Sequence, residues 1–247
     1  MAENHKHWEP LGNGIEVLVS DNHTFGTDTV LLAAFAKPKA KDTVCELGTG
    51  CGTIPLIWCR QNPPKHITAV DISTEACELL QCSIEKNGFQ EKITVLNENL
   101  CFLDGKIPKS SFDLVVCNPP YKAEGTGIKN PVQSHTVARH EEMCRLEDIA
   151  ACASALLNFG GRFCLCQRPE RLSDVIEVMR RYAIEPKRLR FVQQRPDKAP
   201  KLFLIEGRRS GRRGSLVAEP VLMIENGQGG LSDEMIEIYG SYKEGHL

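Results

Sequence analysis

The sequence lacks any hydrophobic run that could cross a membrane. No stretch of the 247 residues approaches the roughly twenty consecutive apolar side chains that a transmembrane helix needs. The polar amino terminus, Met1 to His7, leads into no apolar signal region. We therefore expect no membrane partner and a cytoplasmic location.

Cysteine pairs of the kind that bind metals are also missing. The sequence has 11 cysteines but no Cys-x-x-Cys pair, and Cys164 and Cys166 would lie on one face of a strand. Single cysteines inside apolar runs behave as small hydrophobic side chains, so we expect reduced thiols and no metal site. His5 and His7 lie at an exposed terminus and do not change this expectation.

Internal repeats, linkers and low-complexity tracts are absent as well. A chain of this length forms one substantial core. We expect a hairpin and a helix in residues 1–40 to pack on a main domain formed by residues 41–247.

The net charge is small but unevenly distributed. The whole chain carries −2, whereas residues 187–213 contain ten basic and two acidic side chains, a local charge of +8. Such a segment suits contacts with nucleic-acid phosphates, and the residues predicted to make them are Arg208, Arg209, Arg212 and Arg213. The alternative is a pair of strands with a basic, solvated face.

A glycine-rich turn follows the first strand of the main domain. Gly48, Gly50 and Gly52 come directly after the predicted strand at residues 43–47. The next predicted strand ends in Asp71, where a carboxylate can accept hydrogen bonds from ribose hydroxyls. A dinucleotide-binding turn usually places its third glycine one residue later, so the spacing favours S-adenosylmethionine over NAD.

The most specific feature is the tetrapeptide at residues 118–121, which ends another apolar strand. Asn118 offers a side-chain amide, Pro119 a backbone carbonyl, Pro120 a fixed backbone angle and Tyr121 an aromatic face. Together they can hold a planar amino group by its hydrogens and its ring. This chemistry suits methylation of an sp² nitrogen, although the tetrapeptide alone also fits an ordinary turn.

Strands and helices alternate along the main domain. The predicted strands are at residues 43–47, 67–71, 93–96, 112–117, 161–166, 188–192 and 202–206. We predict an α/β fold with a doubly wound, mostly parallel sheet of seven strands, an antiparallel carboxy-terminal hairpin and a small amino-terminal hairpin. Residues 122–137 show neither helical nor strand periodicity and predict a loop that orders on substrate.

With these motifs the sequence resembles the Rossmann-like S-adenosylmethionine-dependent methyltransferases, in the branch that modifies exocyclic amino or amide nitrogens. Within that branch it is similar to the bacterial tRNA(Val) adenine-N6 methyltransferases, through Phe-Gly-Thr-Asp-Thr-Val-Leu-Leu-Ala at residues 25–33 and Ala-Arg-His-Glu at residues 138–141. The resemblance covers roughly residues 14–224. It implies S-adenosylmethionine as cofactor and a tRNA, modified beside the anticodon, as substrate. A monomer is the expected oligomeric state.

The resemblance also implies roles for individual residues. The expected cofactor-binding residues are Gly26, Thr27, Asp28, Glu46, Gly48, Gly50, Gly52, Asp71, Ile72, Asn99 and Leu100. The family usually has an acidic residue where Asn99 stands, and Asn97 and Glu98 are alternative contacts for the cofactor adenine. Thr27 or Asp28 can instead cap a helix. Arg139 and His140 are expected to contact RNA or to order the loop, with a helix-initiating salt bridge to Glu141 or Glu142 as the alternative.

Three other functions compete with this interpretation. A protein glutamine-amide methyltransferase uses the same tetrapeptide, but only about forty residues precede the first main-domain strand, too few for the usual helical substrate domain. A guanine-N2 methyltransferase of rRNA usually has Phe where this chain has Tyr121. A non-catalytic S-adenosylmethionine-binding RNA module would not require the intact tetrapeptide.

Overall fold

The computed structural model describes residues 5–60, 62–119 and 145–240. Pro120, Tyr121, Arg139, His140 and the predicted loop at residues 122–137 lie outside these ranges. Within them, no helix is long and apolar enough to span a membrane.

An antiparallel pair of strands begins the described chain. Strand β1 (Lys6–Gly12) pairs with β2 (Ile15–Ser20) through a turn in which Asn13 and Gly14 have positive φ angles. The hairpin is fastened to the following domain by side chains, because the Leu18 amide donates to Ser83 Oγ at 2.9 Å. Its apolar side chains join the same core cluster as the main domain.

A mixed sheet of nine strands forms the centre of the molecule. In chain order the strands are β3 (Thr43–Leu47), β4 (His66–Asp71), β5 (Ile93–Asn97), β6 (Phe112–Cys117), β7 (Leu157–Gln167), β8 (Ile184–Gln193), β9 (Leu202–Arg209), β10 (Val217–Ala218) and β11 (Leu222–Met223). Their order across the sheet is β10-β8-β9-β7-β6-β3-β4-β5, and β11 also pairs with β8.

The predicted α/β class and mostly parallel sheet are confirmed. Strands β3 to β7 pair in parallel with one another, whereas β9 runs antiparallel to both β7 and β8. The predicted count of seven strands is not what the structure shows, because two further strands of two residues each, β10 and β11, pair in parallel with β8. Runs this short carry no alternation that a sequence pattern could reveal.

Six α-helices occur in the described ranges. They are α1 (Thr27–Ala36), α2 (Thr53–Trp58), α3 (Thr74–Asn87), α4 (Leu146–Leu156), α5 (Leu172–Arg181) and α6 (Asp233–Tyr239). Helix α3 is capped at both ends, because Ser73 Oγ accepts from the Ala76 amide and Gly88 ends the helix at a φ of 72°. At α1 the N-cap is Gly26, and neither Thr27 nor Asp28 caps the helix.

Two apolar clusters lie on the two faces of the sheet. Alternate residues of one strand belong to different clusters: Val44 packs with α1, α2 and α3, whereas Cys45 packs with α4 and α5. Cysteines occupy several fully buried strand positions, and the cysteines in the described ranges are unbridged. No group of metal-ligating side chains occurs in the same ranges.

The direction of the strands defines two edges of the sheet. Parallel strands β3 to β7 end at the same edge, which we call the carboxyl edge and which is marked by Leu47, Asp71 and Cys117. The turn between β8 and β9 lies at this edge too, because Phe203, near the start of β9, pairs with Gln167 at the end of β7. Strand β9 then runs back and ends at the opposite edge.

Candidate active site

The glycine turn between β3 and α2 begins the candidate site at the carboxyl edge. Gly48, Gly50 and Gly52 have φ angles of 72°, 56° and 82°, which favour glycine because a side chain would be strained there. A Cβ at Gly52 would lie 2.2 Å from Leu80 Cδ1, whereas a Cβ at Gly48 or Gly50 would meet no atom within 4 Å. Gly52 is therefore required for packing, and the other two leave the turn's backbone approachable.

Asp71, at the end of β4, ties this turn to the next one. Its Oδ2 accepts a hydrogen bond of 2.8 Å from the Gly50 amide, and its Oδ1 accepts one of 2.9 Å from the Ser73 amide. Charge-assisted hydrogen bonds of this kind are strong, so the carboxylate fixes the position of the glycine turn relative to the loop after β4. The structure thus brings the predicted residues Asp71 and Gly50 together.

Glu46 is buried beneath the same turn. Its carboxylate accepts a hydrogen bond from the Thr49 hydroxyl, inside the turn itself. Burial raises the pKa of Glu46 well above its ordinary value, and the charge of Asp71 raises it further. The structure therefore places Glu46 where it orients the turn through Thr49.

The strand-end loop after β5 supports the loop after β4. The Asn97 side-chain amide donates to the backbone carbonyls of Asp71 and Ile72 at 3.0 and 3.1 Å, and its oxygen accepts from Thr74. Asn99 accepts from the Cys101 amide at 2.9 Å and caps a short 3-10 helix, Leu100–Phe102. Asn97 is thus a supporting residue, while Asn99 faces the turn that begins with Leu100.

Asn118 directly follows β6 and contacts α1. Its Nδ2 donates to Asp28 Oδ2 at 3.2 Å and to Thr29 Oγ1 at 3.1 Å. On the other side of the amide, Cys166 Sγ donates to Asn118 Oδ1 at 2.9 Å. Pro119, which follows, is buried. Two elements far apart in the sequence, the first turn of α1 and the end of β7, therefore hold this amide.

Thr29 and Cys166 are contacts that the sequence did not identify. Thr29 lies inside the family-like segment at residues 25–33, so that segment contained a signal for it. Cys166 resembles any buried strand cysteine, and only the pairing of β6 with β7 places it beside Asn118.

The last helix also reaches this region. Thr27 Oγ1 and the Tyr239 hydroxyl share a hydrogen bond of 2.9 Å, although 212 positions separate them. Arg60 links the end of the same helix to β1, because it donates to the carbonyls of Tyr239 and of Leu11, each at 3.0 Å. Thr27 and Asp28, adjacent in sequence, thus contact different partners, Tyr239 and Asn118.

The arginines predicted to bind RNA lie away from this site. Arg208 pairs with Arg162 in the middle of β7 and lies near the end of β9, toward the edge opposite the carboxyl edge. Arg208 donates to the Gly160 carbonyl at 3.1 Å, and Arg209 donates to Ser110 Oγ at 2.9 Å. Arg212 and Arg213 follow in an exposed segment. The RNA-binding role of these four residues stays a prediction.

A comparison with protein families identifies the class of the chain. Residues 17–166, which run from within β2 through the glycine turn and Asn118 into β7, match the family model described as the methyltransferase small domain. The chain belongs to the methyltransferase small domain family. It is an enzyme, and the predicted membership among the methyltransferases is confirmed.

Curated relatives match this methyltransferase over most of its length. A tRNA1(Val) (adenine(37)-N6)-methyltransferase of Porphyromonas gingivalis is 32% identical over 189 residues, which cover 74% of this chain and 73% of the relative. An enzyme of the same name from Parabacteroides distasonis is 32% identical over 182 residues, 73% of this chain and 75% of the relative.

Solved structures show the same fold at low sequence identity. A predicted O-methyltransferase of Agrobacterium tumefaciens superposes with a TM-score of 0.69 and 20% identity, covering 87% of this chain and 97% of the other. A tRNA m1G37 methyltransferase of M. jannaschii gives a TM-score of 0.62 and 16% identity, covering 85% and 58%. These likenesses establish the architecture of this methyltransferase and not its substrate.

Proposed function

We propose that this methyltransferase transfers a methyl group from S-adenosylmethionine to the N6 amino group of an adenine in the anticodon loop of tRNA1(Val). The observation that carries the proposal is the fixed orientation of the Asn118 amide at the carboxyl edge. Substrate identity is supported by the names of the two bacterial relatives. A tRNA substrate also implies a cytoplasmic enzyme.

The residues at the carboxyl edge fit S-adenosylmethionine. The open space beside Gly48 and Gly50 admits the methionine portion close to the backbone. Asp71 accepts one backbone hydrogen bond at each oxygen, and a carboxylate oxygen can accept a second, here from a ribose hydroxyl. Ile72 and Leu100 flank the proposed position of the adenine ring. When bound, the cofactor supplies an electrophilic methyl group on a positively charged sulfur.

The environment of Asn118 determines what its amide can recognise. A carboxylate only accepts hydrogen bonds, so Asp28 must face the amide nitrogen and not the oxygen. With Thr29 as the second acceptor, both amide hydrogens point into the protein. The Asn118 oxygen already accepts a hydrogen bond from Cys166, and an amide oxygen can accept a second, which in this proposal comes from the N–H of the substrate amino group.

The neighbouring residues complete the proposed acceptor site. The Pro119 carbonyl would accept the second amino hydrogen, and two acceptors turn the amino lone pair toward the methyl group. Pro120 and Tyr121 are proposed to stiffen the backbone and to stack on the base, a contact that contributes about 1–3 kcal/mol. Because a thioether leaves readily, the protein mainly supplies alignment, which can lower the barrier by about 7 kcal/mol.

The competing functions differ in the molecule that supplies the nitrogen. A glutamine side chain also presents a planar N–H donor, so the geometry of Asn118 alone admits a protein substrate. The relatives' names favour adenine in tRNA over glutamine and over guanine in rRNA. The methyltransferase family and the intact Asn-Pro-Pro-Tyr tetrapeptide favour a catalyst over a binding module.

Two variants test the proposal by separating binding from transfer. We expect Asn118→Ala to abolish methylation of tRNA while S-adenosylmethionine binds within a few-fold of wild type, because the amide serves the acceptor base. Asp71→Ala should instead weaken cofactor binding by about 1.5–3 kcal/mol, as expected for lost bonds to a charged group. Calorimetry measures the binding, and mass spectrometry of digested nucleosides measures N6-methyladenosine. Full transfer by Asn118→Ala would refute the assignment.

A further inference from the structure

The basic segment at residues 187–213 is divided by the fold between two edges of the sheet. Its first part runs along β8 to the turn at residues 194–201, which lies at the carboxyl edge. Its last part lies at the opposite edge, because Arg208 pairs with Arg162 while Phe203 pairs with Gln167. Phe203 and Arg208 are five residues apart along β9, which corresponds to a distance of about 17 Å.

Several cations of this segment bind groups of the protein itself. At the far edge, Lys187 donates to the Gly214 carbonyl at 2.7 Å, and Arg209 donates to Ser110. Along β8, Arg188 pairs with Glu219 at 2.7 Å and Arg190 pairs with Glu234. The local charge of +8 is therefore not a measure of the positive charge available at the surface.

The cations of the β8–β9 turn are in a different situation. Arg195, Lys198 and Lys201 are all exposed. Lys198 lies 3.7 Å from Asp197, and Arg195 lies 3.5 Å from Asp197 and 3.7 Å from Glu225. Exposed pairs at such separations contribute little, so these cations can exchange their carboxylate neighbours for phosphates.

The backbone of this turn is held in one conformation. Gln193 Nε2 donates to the carbonyls of Arg195 and Pro196 at 2.9 and 3.1 Å. The Lys198 amide donates to the Arg195 carbonyl at 3.0 Å, and the Lys201 amide donates to the Val192 carbonyl at 2.9 Å. A turn fixed in this way presents its cations with a smaller loss of backbone entropy on binding.

The turn also lies close to the candidate active site. Strand β6, which Asn118 directly follows, is separated from β9 by β7 alone, and β8 is the next strand. At about 4.8 Å per strand, the start of β9 and the end of β8 lie about 10 and 14 Å from the end of β6. Phosphates next to a base splayed out into the site are within reach of such a turn.

We infer that the turn at residues 194–201 docks the RNA phosphates that flank the target base, with Lys198 and Lys201 as the contacts. The inference rests on the proposed function, because it takes RNA as the substrate. It assigns the docking surface to the carboxyl edge, whereas the charge pattern of the sequence predicts it at Arg208, Arg209, Arg212 and Arg213.

The test compares the double variant Lys198→Ala/Lys201→Ala with a matched control, Lys39→Ala/Lys41→Ala. The control removes the same charge from exposed positions just before β3, at the opposite edge. Affinity for unmodified tRNA is measured in the full-length protein at several salt concentrations. Losing two phosphate contacts should flatten the slope of log affinity against log salt by about 1.4 for single-stranded RNA. The control should keep the wild-type slope.

A third variant, Arg212→Ala/Arg213→Ala, decides between the two edges. If it flattens the slope and Lys198→Ala/Lys201→Ala does not, docking lies at the far edge and the inference is wrong. Tighter binding of polyglutamate than of tRNA would also overturn it, in favour of an acidic protein partner. The slopes are read without methyl transfer, so a lack of N6-methyladenosine would refute the proposed function separately.

Discussion

Replacing Gly52 by alanine tests the packing of the glycine turn. The new Cβ would lie 2.2, 2.8 and 2.9 Å from three atoms of the Leu80 side chain, in a backbone conformation with a φ of 82°. The left-handed conformation costs about 1–2 kcal/mol for a residue with a Cβ. Overpacking of a core adds about 1–3 kcal/mol. We therefore expect Gly52→Ala to lose about 2–5 kcal/mol of unfolding free energy.

Gly48→Ala is the matched comparison in the same turn. Its φ of 72° is similar, but its Cβ would meet no atom within 4 Å, so only the backbone term of about 1–2 kcal/mol remains. Urea unfolding followed by circular dichroism measures both variants, and the slope of free energy against urea should not change. The difference between the two variants isolates the contact with Leu80.

A double-mutant cycle checks the same contact in a second way. In a Leu80→Ala background the atoms that a Cβ at Gly52 would strike are gone, so adding Gly52→Ala should cost only about 1–2 kcal/mol. Equal losses for Gly48→Ala and Gly52→Ala, or strict additivity of Gly52→Ala with Leu80→Ala, would show that close packing is not the reason for the glycine.

Two further predictions concern buried charges. We expect Arg162→Ala to lose about 3–5 kcal/mol of unfolding free energy, because Arg162 donates to the Ala36 carbonyl at 2.7 Å and pairs with Asp42 at 3.1 Å. Arg171→Ala, which removes an exposed ion pair, should lose under about 1 kcal/mol. Equal losses for the two variants would contradict this prediction. Burial raises the pKa of Glu46, so the contribution of this group to stability is complete below the ordinary value of 4.5 and declines as pH rises. Wild type should therefore lose stability relative to Glu46→Gln in urea unfolding as pH rises above 4.5, and a difference independent of pH would refute the shift.

The local elements follow closely from the sequence. The strands at residues 43–47 and 112–117 have the predicted bounds, because apolar runs between turn residues need no distant partner to be recognised. Likewise, α3 begins after Ser73 and ends at Gly88, since a serine cap and a left-handed glycine act within one turn of the helix. The sequence also placed Gly50 and Asp71 after successive strands, and they lie together because parallel strands end at one edge.

Other features could not be predicted from the sequence, because they depend on the order and direction of the strands in the sheet. Cys166 reaches Asn118 only because β7 pairs with β6, and nothing near Cys166 in the sequence indicates that contact. The charge of residues 187–213 looked like one surface, since a count along the chain does not show that β9 reverses direction. Its arginines are therefore split between two edges of the sheet.

The sequence by itself determined the class of the protein: the alternating strands and helices, the glycine turn with Asp71, and the tetrapeptide that begins with Asn118. These are local patterns, and each depends only on the conformation of a few neighbouring residues. Only the tertiary structure decided which way the Asn118 amide faces, because Asp28 lies 90 positions away and the β6–β7 pairing adds Cys166. Contacts between residues so far apart in the sequence form only when strands and helices pack together. Local sequence patterns do not show which elements pack against each other.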